Sequence, residues 1–272
     1  MKHRFSLLII FLCIGFTLTA QTNRRIVSLA ASITRNLYEM GAGGQIVGCT
    51  KFCVTDPHDS IAVVAEAVNV NLERIALLKP DVVLAGGLTH PRVIESLKKM
   101  GIRTMQWHQP KDFDDICRQF REMGEVAGRQ TTADSVILKA QHRMADIANR
   151  IKGRKQPKVF LELSSNPLFT ALPGTFMGDY ITRAGGQNIA AGLNNGAVSK
   201  EYVLMQNPEV LLLVSMGQTA EAEKLAWQKL NMTSAVKNNR IYILSDDISS
   251  PTPLSFVQTV EELVLRFAQN DK

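Results

Sequence analysis

Two segments of this chain, 128 residues apart, are written to the same plan. One reads Glu73-Arg74-Ile75-Ala76-Leu77-Leu78-Lys79-Pro80-Asp81-Val82-Val83-Leu84, the other Glu201-Tyr202-Val203-Leu204-Met205-Gln206-Asn207-Pro208-Glu209-Val210-Leu211-Leu212. In each, a glutamate is followed seven residues later by proline, then an acid, then an apolar run rich in strand formers. Proline cannot continue a helix, and a short apolar run after it reads as a buried strand. Each segment therefore predicts a short helix, a stop and a strand. Asn71 and Ser199 stand two residues before the glutamates and suit helix N-caps.

A second echo precedes each unit. Arg25–Leu29 and Lys158–Leu163 read as strands, each leading through a helical pattern to a Gly-Gly-Gln triplet at Gly43–Gln45 and Gly185–Gln187. The second helix is expected over about Phe176–Arg183. Glycine supplies the left-handed residue that ends helices, so both triplets are expected to be helix C-termini. Two landmarks in the same order point to an internal duplication. The fold expected is α/β, with two similar Rossmann-like lobes.

Between the halves, Ala133, Val136, Ile137, Ala140, Met144, Ile147, Ala148 and Ile151 keep a helical period with no Pro or Gly before Gly153. This predicts one bridging helix of some 20 residues, ~30 Å long. The expected layout is a lobe over residues 22–128, the bridge over 129–153 and a second lobe over 157–272. A rigid bridge limits how far the lobes swing. A ligand cleft is expected between them, at the C-terminal ends of the strands.

The first twenty residues differ in kind. Lys2 and Arg4 precede an almost wholly apolar stretch from Phe5 to Leu18, then Thr19-Ala20. This is the pattern of a secretory signal peptide over residues 1–20, cleaved after Ala20. The stretch is shorter than the ~20 apolar residues of a spanning helix. The exported chain is expected in the periplasm. Loss of Lys2 and Arg4 takes the net charge from +6 to +4. The basic residues come in runs of two at most, so nucleic acid is not an expected partner. Cys49, Cys53 and Cys117 remain; the first two are close enough to pair, to stay buried as thiols, or to touch a metal or ligand.

Catalytic signatures are missing. The sequence has no G-x-S-x-G, no G-x-x-x-x-G-K-[ST] and no H-E-x-x-H. An exported hydrolase is thus the weaker reading, and no enzymatic activity is expected.

At Asn71-Leu72-Glu73-Arg74-Ile75 with Leu78-Lys79-Pro80-Asp81, at Asn166-Pro167 with Phe169-Thr170, and at Val198-Ser199 with Glu201, the chain resembles the helical-backbone (class III) substrate-binding proteins of bacterial ABC importers. These carry vitamin B12, haem and ferric siderophores, and the residues are most similar to those of the vitamin B12 branch. The resemblance covers the mature chain and implies two lobes bridged by one helix, with little closure. It implies a monomer that captures a cobalt- or iron-containing complex as cargo, with no resident cofactor or metal. The implied partner is an ABC permease dimer with its ATPase subunits, docked through Glu73 and Glu201. Phe52, Phe169 and Asp246 fall at cleft positions of the B12 branch. Asn166 and Trp107 join them as expected ligand contacts, with His90 and His108 as further candidates. The branch's cleft tryptophans are replaced by the Gly86-Gly87 region and about Asn195, and its arginine after the cleft aspartate by serine near Ser250. Haem binders of the class often use a tyrosine ligand, whereas Tyr38, Tyr180, Tyr202 and Tyr242 all read as helix or strand residues.

Overall fold

The computed structural model describes residues 24–66, 69–214 and 219–268. The expected signal peptide and its cleavage site lie outside them. The first half runs β1 (Ile26–Ser28), α1 (Ala31–Glu39), β2 (Ile46–Thr50), β3 (Ala62–Ala65), α2 (Leu72–Leu77), β4 (Val82–Ala85), α3 (Pro91–Lys99), β5 (Thr104–Gln106) and α4 (Phe113–Ala127). Helix α5 spans Gln130–Ile151 without a break. The second half runs β6 (Lys158–Ser165), β7 (Leu168–Thr170), α6 (Phe176–Arg183), β8 (Gln187–Asn188), α7 (Lys200–Gln206), β9 (Val210–Val214), α8 (Thr219–Leu230), α9 (Ser234–Lys237), β10 (Ile241–Leu244) and α10 (Pro253–Phe267).

The strands form two separate sheets. The first is wholly parallel, in the order β3-β2-β1-β4-β5. The second is ordered β10-β9-β6-β7, with β8 also on β6. It is parallel except for β7, which runs antiparallel to β6. Period-two alternation assigns the two faces of each sheet. Val82 and Leu84 of β4 face one hydrophobic cluster while Val83 faces another. Val210 and Leu212 of β9 likewise face away from Leu211 and Leu213. Sheets covered on both faces are what βαβ crossovers produce, and they explain the near-continuous apolar strands.

The duplication is visible atom by atom. Asn71 accepts a hydrogen bond from Arg74 N at 2.8 Å, and Ser199 accepts one from Tyr202 N at 3.2 Å. Each helix then ends on a left-handed residue before its proline, Lys79 at φ 45° and Asn207 at φ 46°. The acid after the proline has a matching task in both halves. Asp81 accepts from Arg25 N at 2.7 Å, and Glu209 accepts from Lys158 N at 3.1 Å. The side chains of Arg25 and Lys158 reach back to the carbonyls of Leu78 and Gln206, the last-turn oxygens that a helix leaves unpaired.

One landmark needs correction. Only the second Gly-Gly-Gln ends its helix, with Gly185 left-handed at φ 82°. In the first half the left-handed residue is Gly41, at φ 73°, and Gly43–Gln45 form a 3₁₀ turn beyond it. Strand register still matches, since Ile46 pairs Ile26 where Asn188 pairs Val159. The first half has absorbed two extra residues between helix end and strand.

The halves share one interior. Ala133, Ile137, Ala140, Met144 and Ile147 form the buried stripe of α5, and they belong to a cluster that also holds Ile26, Leu37, Phe113, Tyr180 and Phe256. Phe256 of α10 stacks on Tyr180 at 4.1 Å and meets Phe113 of α4 at 5.4 Å. Asp179 accepts from Phe113 N at 2.9 Å, and Arg183 pairs with Asp114 at 2.8 Å. Arg35 of α1 reaches Asp247 at 3.1 Å, and Arg143 of α5 holds Glu261 of α10 at 2.7 Å.

Candidate functional site

A cavity of about 760 Å³ opens at the C-terminal ends of β1, β2, β4 and β5. This is where ligands settle in open parallel sheets, and the volume is that of a sizeable small-molecule site. Its walls are Leu29–Ile33, Asn36, Thr50, Phe52, Ala65, Glu66, Val70, Gly86–His90, Val93, Trp107–Pro110, Ile116, Gln119 and Met123 from the first half. The second half adds Phe176 and Ser249–Pro251. The cavity therefore lies between the two halves, with most of its wall on the first.

Local sequence explains each wall. Helix α1 begins at the cavity, and its N-cap Ala30 has no side chain to satisfy the first N–H groups. Those donors are free for an acceptor oxygen of a ligand. The Gly86-Gly87 turn allows two loops to touch: a Cβ on Gly87 would lie 2.8 Å from Gln109 N. Phe52 follows the end of β2 and is 56% exposed, an apolar ring left in solvent at the cavity edge. Trp107 is buried, with its indole N–H donating to Glu122 at 2.7 Å.

Both candidate histidines line the cavity. His90 caps α3, its Nδ1 accepting from Arg92 N at 3.1 Å. The His108 Nε2 sits 2.8 Å from the carboxylate of Asp115 on α4. Asp115 is buried. Its pKa is lowered because hydrogen bonds from Lys111 N and His108, with the Arg118 charge, outweigh desolvation, which is the largest single influence. No tyrosine is among the described residues that line the cavity.

Of the remaining site residues named from sequence, Asn166 is exposed at the β6–β7 hairpin and Phe169 is 40% exposed on β7. Asp246 is exposed at the start of the 3₁₀ turn after β10. None of the three is in the cavity wall; Ser249–Pro251, which follow Asp246, are. The structure thus brings Phe52 and Trp107 together in one wall and leaves the other three on the second half, outside it. Sequence reasoning missed Leu29–Ser32, Gln119 and Met123. The first of these could have been read as the turn after a strand C-terminus; the other two needed the α4 packing.

Glu73 and Glu201 are both exposed and each is the second residue of its helix. Glu201 has a lowered pKa, through hydrogen bonds from its own backbone N–H and from Ser199. Among the described residues no group of three or more His, Cys, Asp or Glu side chains is arranged to hold a metal ion. No described helix is long and apolar enough to cross a membrane.

Comparison with known proteins agrees with this architecture. The uncharacterised ABC transporter substrate-binding lipoprotein YvrC of Bacillus subtilis is 28% identical over 252 residues, 88% of this chain and 78% of that protein. The crystal structure of the periplasmic vitamin B12-binding protein BtuF of Vibrio cholerae matches with a TM-score of 0.77 and 26% identity. That match covers 91% of this chain and 98% of the other. A periplasmic haem-binding protein from Pseudomonas aeruginosa has the same fold, with a TM-score of 0.80 at 20% identity over 92% and 94% of the two chains. The periplasmic binding protein family model matches residues 26–248, through both sheets and the helix between them. The chain belongs to the periplasmic binding protein family, and is a solute-binding protein of the ABC-importer type rather than an enzyme.

Proposed function

We propose that the cargo is a corrinoid, captured in the periplasm after signal-peptide cleavage and delivered to a two-subunit ABC permease. The observation that carries this reading is the charge of the cavity wall. Among the described lining residues the only side chain of fixed charge is Glu66, and it is already paired with Lys51 at 3.0 Å. No described lysine or arginine lines the cavity. Burying an anionic tris-catecholate or the propionates of haem without a cationic partner is costly. A corrinoid is fringed by neutral amides, and it is served by Asn36, Thr50, Gln109 and Gln119 and by the uncapped start of α1. Phe52 and Trp107 offer apolar faces for its flat ring. Asn166, Phe169 and Asp246, exposed on the second half outside this cavity, are the further contacts of this proposal for the part of a large ligand that extends beyond it. The likeness to the Vibrio cholerae vitamin B12-binding protein supports the same choice. Glu73 and Glu201, at equivalent places in the duplicated halves, each meet an arginine of one permease subunit.

A second reading is haem or another ferric complex, favoured by the two histidines of the wall. The carboxylate-held ring of His108 resembles the oriented imidazoles of metal sites. Calorimetric titration with cyanocobalamin, haem and ferric siderophores separates the readings. Micromolar or tighter cobalamin binding is the expected outcome. Tight haem or siderophore binding without cobalamin binding selects the second reading, and binding of a simple sugar alone removes both.

A further inference from the structure

Beneath Phe52 lies a sulfur pair that ligand capture does not use. Cys49 is the buried penultimate residue of β2, and Cys53 follows the turn that carries Phe52, with Cys53 N bonded to Thr50 O at 3.1 Å. Both thiols are free. Three groups converge on the Cys53 sulfur: the Thr34 hydroxyl at 3.1 Å, the Thr50 hydroxyl at 3.3 Å, and the thiol of Cys49. Their exposure differs in a useful way. Cys49 is 3% exposed, whereas Cys53 keeps partial access to solvent.

We infer that Cys49 and Cys53 are a redox-active dithiol, Cys53 the attacking sulfur and Cys49 the resolving one, closed to a disulfide by exchange with an external disulfide. The surroundings suit those roles. The hydrogen bond from Cys49, joined by those of Thr34 and Thr50, holds the Cys53 thiol below its ordinary range against the opposing effect of burial. The same bond, with burial, pushes Cys49 up. Thiolate, not thiol, is the nucleophile. In the first step Cys53 thiolate attacks one sulfur of the external disulfide, forming a mixed disulfide and releasing one thiolate. Cys49 then gives its proton to the thiolate released in the first step and attacks the Cys53 sulfur, forming the Cys49–Cys53 bond and releasing the second thiolate, which takes a proton from water. Two protein thiols are oxidised, and the external disulfide is reduced to two thiols. Thr50 and Phe52 line the cavity, so the bond ties the base of the turn that forms its wall. Cys117 is the internal reference: it is buried in α4, and burial raises its thiol to about 12.

The test uses the full chain, oxidised glutathione as the disulfide, and tryptic peptide mapping. Lys51 lies between the two cysteines, so the disulfide joins peptide 36–51 to peptide 52–74. The expected result is that joined pair, with Cys117 still reduced. In Cys49→Ser, Cys53 should accumulate as the glutathione mixed disulfide. In Cys53→Ser, Cys49 should react about tenfold more slowly or less, as an inaccessible thiol does. Iodoacetamide labelling of the unmutated chain reads the same asymmetry without a variant, with Cys53 labelled well before Cys49 and Cys117. Absence of the joined peptides while Cys53 labels readily overturns the inference, as does equal reactivity of the two cysteines.

Discussion

At the scale of single residues, buried polar side chains make the sharpest predictions. Glu162 of β6 is 4% exposed and accepts the indole N–H of Trp227 at 2.7 Å. Burial, with some help from Glu223, raises its pKa from 4.5 to about 7, against the Trp227 bond and the Lys200 charge. The folded chain thus holds a proton that the unfolded chain releases near 4.5. The stability linked to that proton is complete below 4.5 and is lost as pH rises towards 7. The shift is worth about 3 kcal/mol at most. Glu162→Gln keeps the indole acceptor and removes the titration. Its melting temperature should therefore exceed that of the unmutated chain by several degrees at pH 8, and the gap should close at pH 4.5; differential scanning calorimetry at the two pH values reads this. Phe52 makes the opposite kind of prediction. Being 56% exposed, it contributes little to folding, so Phe52→Ala should leave the melting temperature within about 1 °C while weakening cobalamin binding by ~1–3 kcal/mol.

At the scale of elements, the repeated Pro-acid pair explains itself through its bonds. Each acid accepts a backbone N–H at the start of its half's opening strand, from Arg25 just before β1 and from Lys158, the first residue of β6. Asp81→Ala and Glu209→Ala should each cost ~1.5–3 kcal/mol, the range for hydrogen bonds to charged groups, measured by urea denaturation. Asn71→Ala and Ser199→Ala should each cost ~1 kcal/mol as lost helix caps. These elements were legible in the sequence because their signals are local: a cap, a proline and an apolar run within a dozen residues. The first Gly-Gly-Gln was misread because a glycine at a helix end and one in a 3₁₀ turn look alike in sequence. Only the positive φ of Gly41 separates them. The antiparallel β7 was not legible either. Three residues, Leu168–Thr170, are too few for a pattern, and they gain their place by pairing with Glu162–Ser165 of β6. The cavity was legible in part. Phe52, Trp107 and the loops after β4 and β5 follow from strand ends, whereas Gln119 and Met123 enter through the packing of α4, which no short-range pattern reports.

At the scale of the whole molecule, the two-lobed plan places Glu73 and Glu201 at equivalent positions of pseudo-repeated halves. Charge pairs at an interface of this kind govern register and encounter rate. Reversing both to lysine should abolish ATP-coupled uptake and capture by permease-containing membranes, with cobalamin affinity unchanged within about twofold because neither residue lines the cavity. Loss of cobalamin binding in that variant would instead assign the glutamates to the ligand site. The links between the halves also bear on closure. Phe113, Tyr180 and Phe256, packed as one aromatic group, and the ion pairs of Arg183, Arg35 and Arg143 tie the two halves together and oppose hinge motion between them. Small-angle scattering should give the same radius of gyration with and without ligand, within about 0.5 Å. Rigid partners of this kind move little on binding.

The aromatic cluster across the two halves has a further consequence, for how the chain comes apart. Two sheets invite the view of two independent thermodynamic units. Yet Ile26 and Leu37 share their interior with Tyr180 and Phe256, and α5 and α10 supply buried faces to that same interior. Melting either half strips apolar surface from the other, so neither retains a complete core once its neighbour is gone. Calorimetric and van't Hoff enthalpies should agree, giving a single transition for a chain whose sequence is written twice. A fragment ending at Ile151 should be insoluble or molten by itself. The repeat persists as geometry, while cooperativity has passed to the pair.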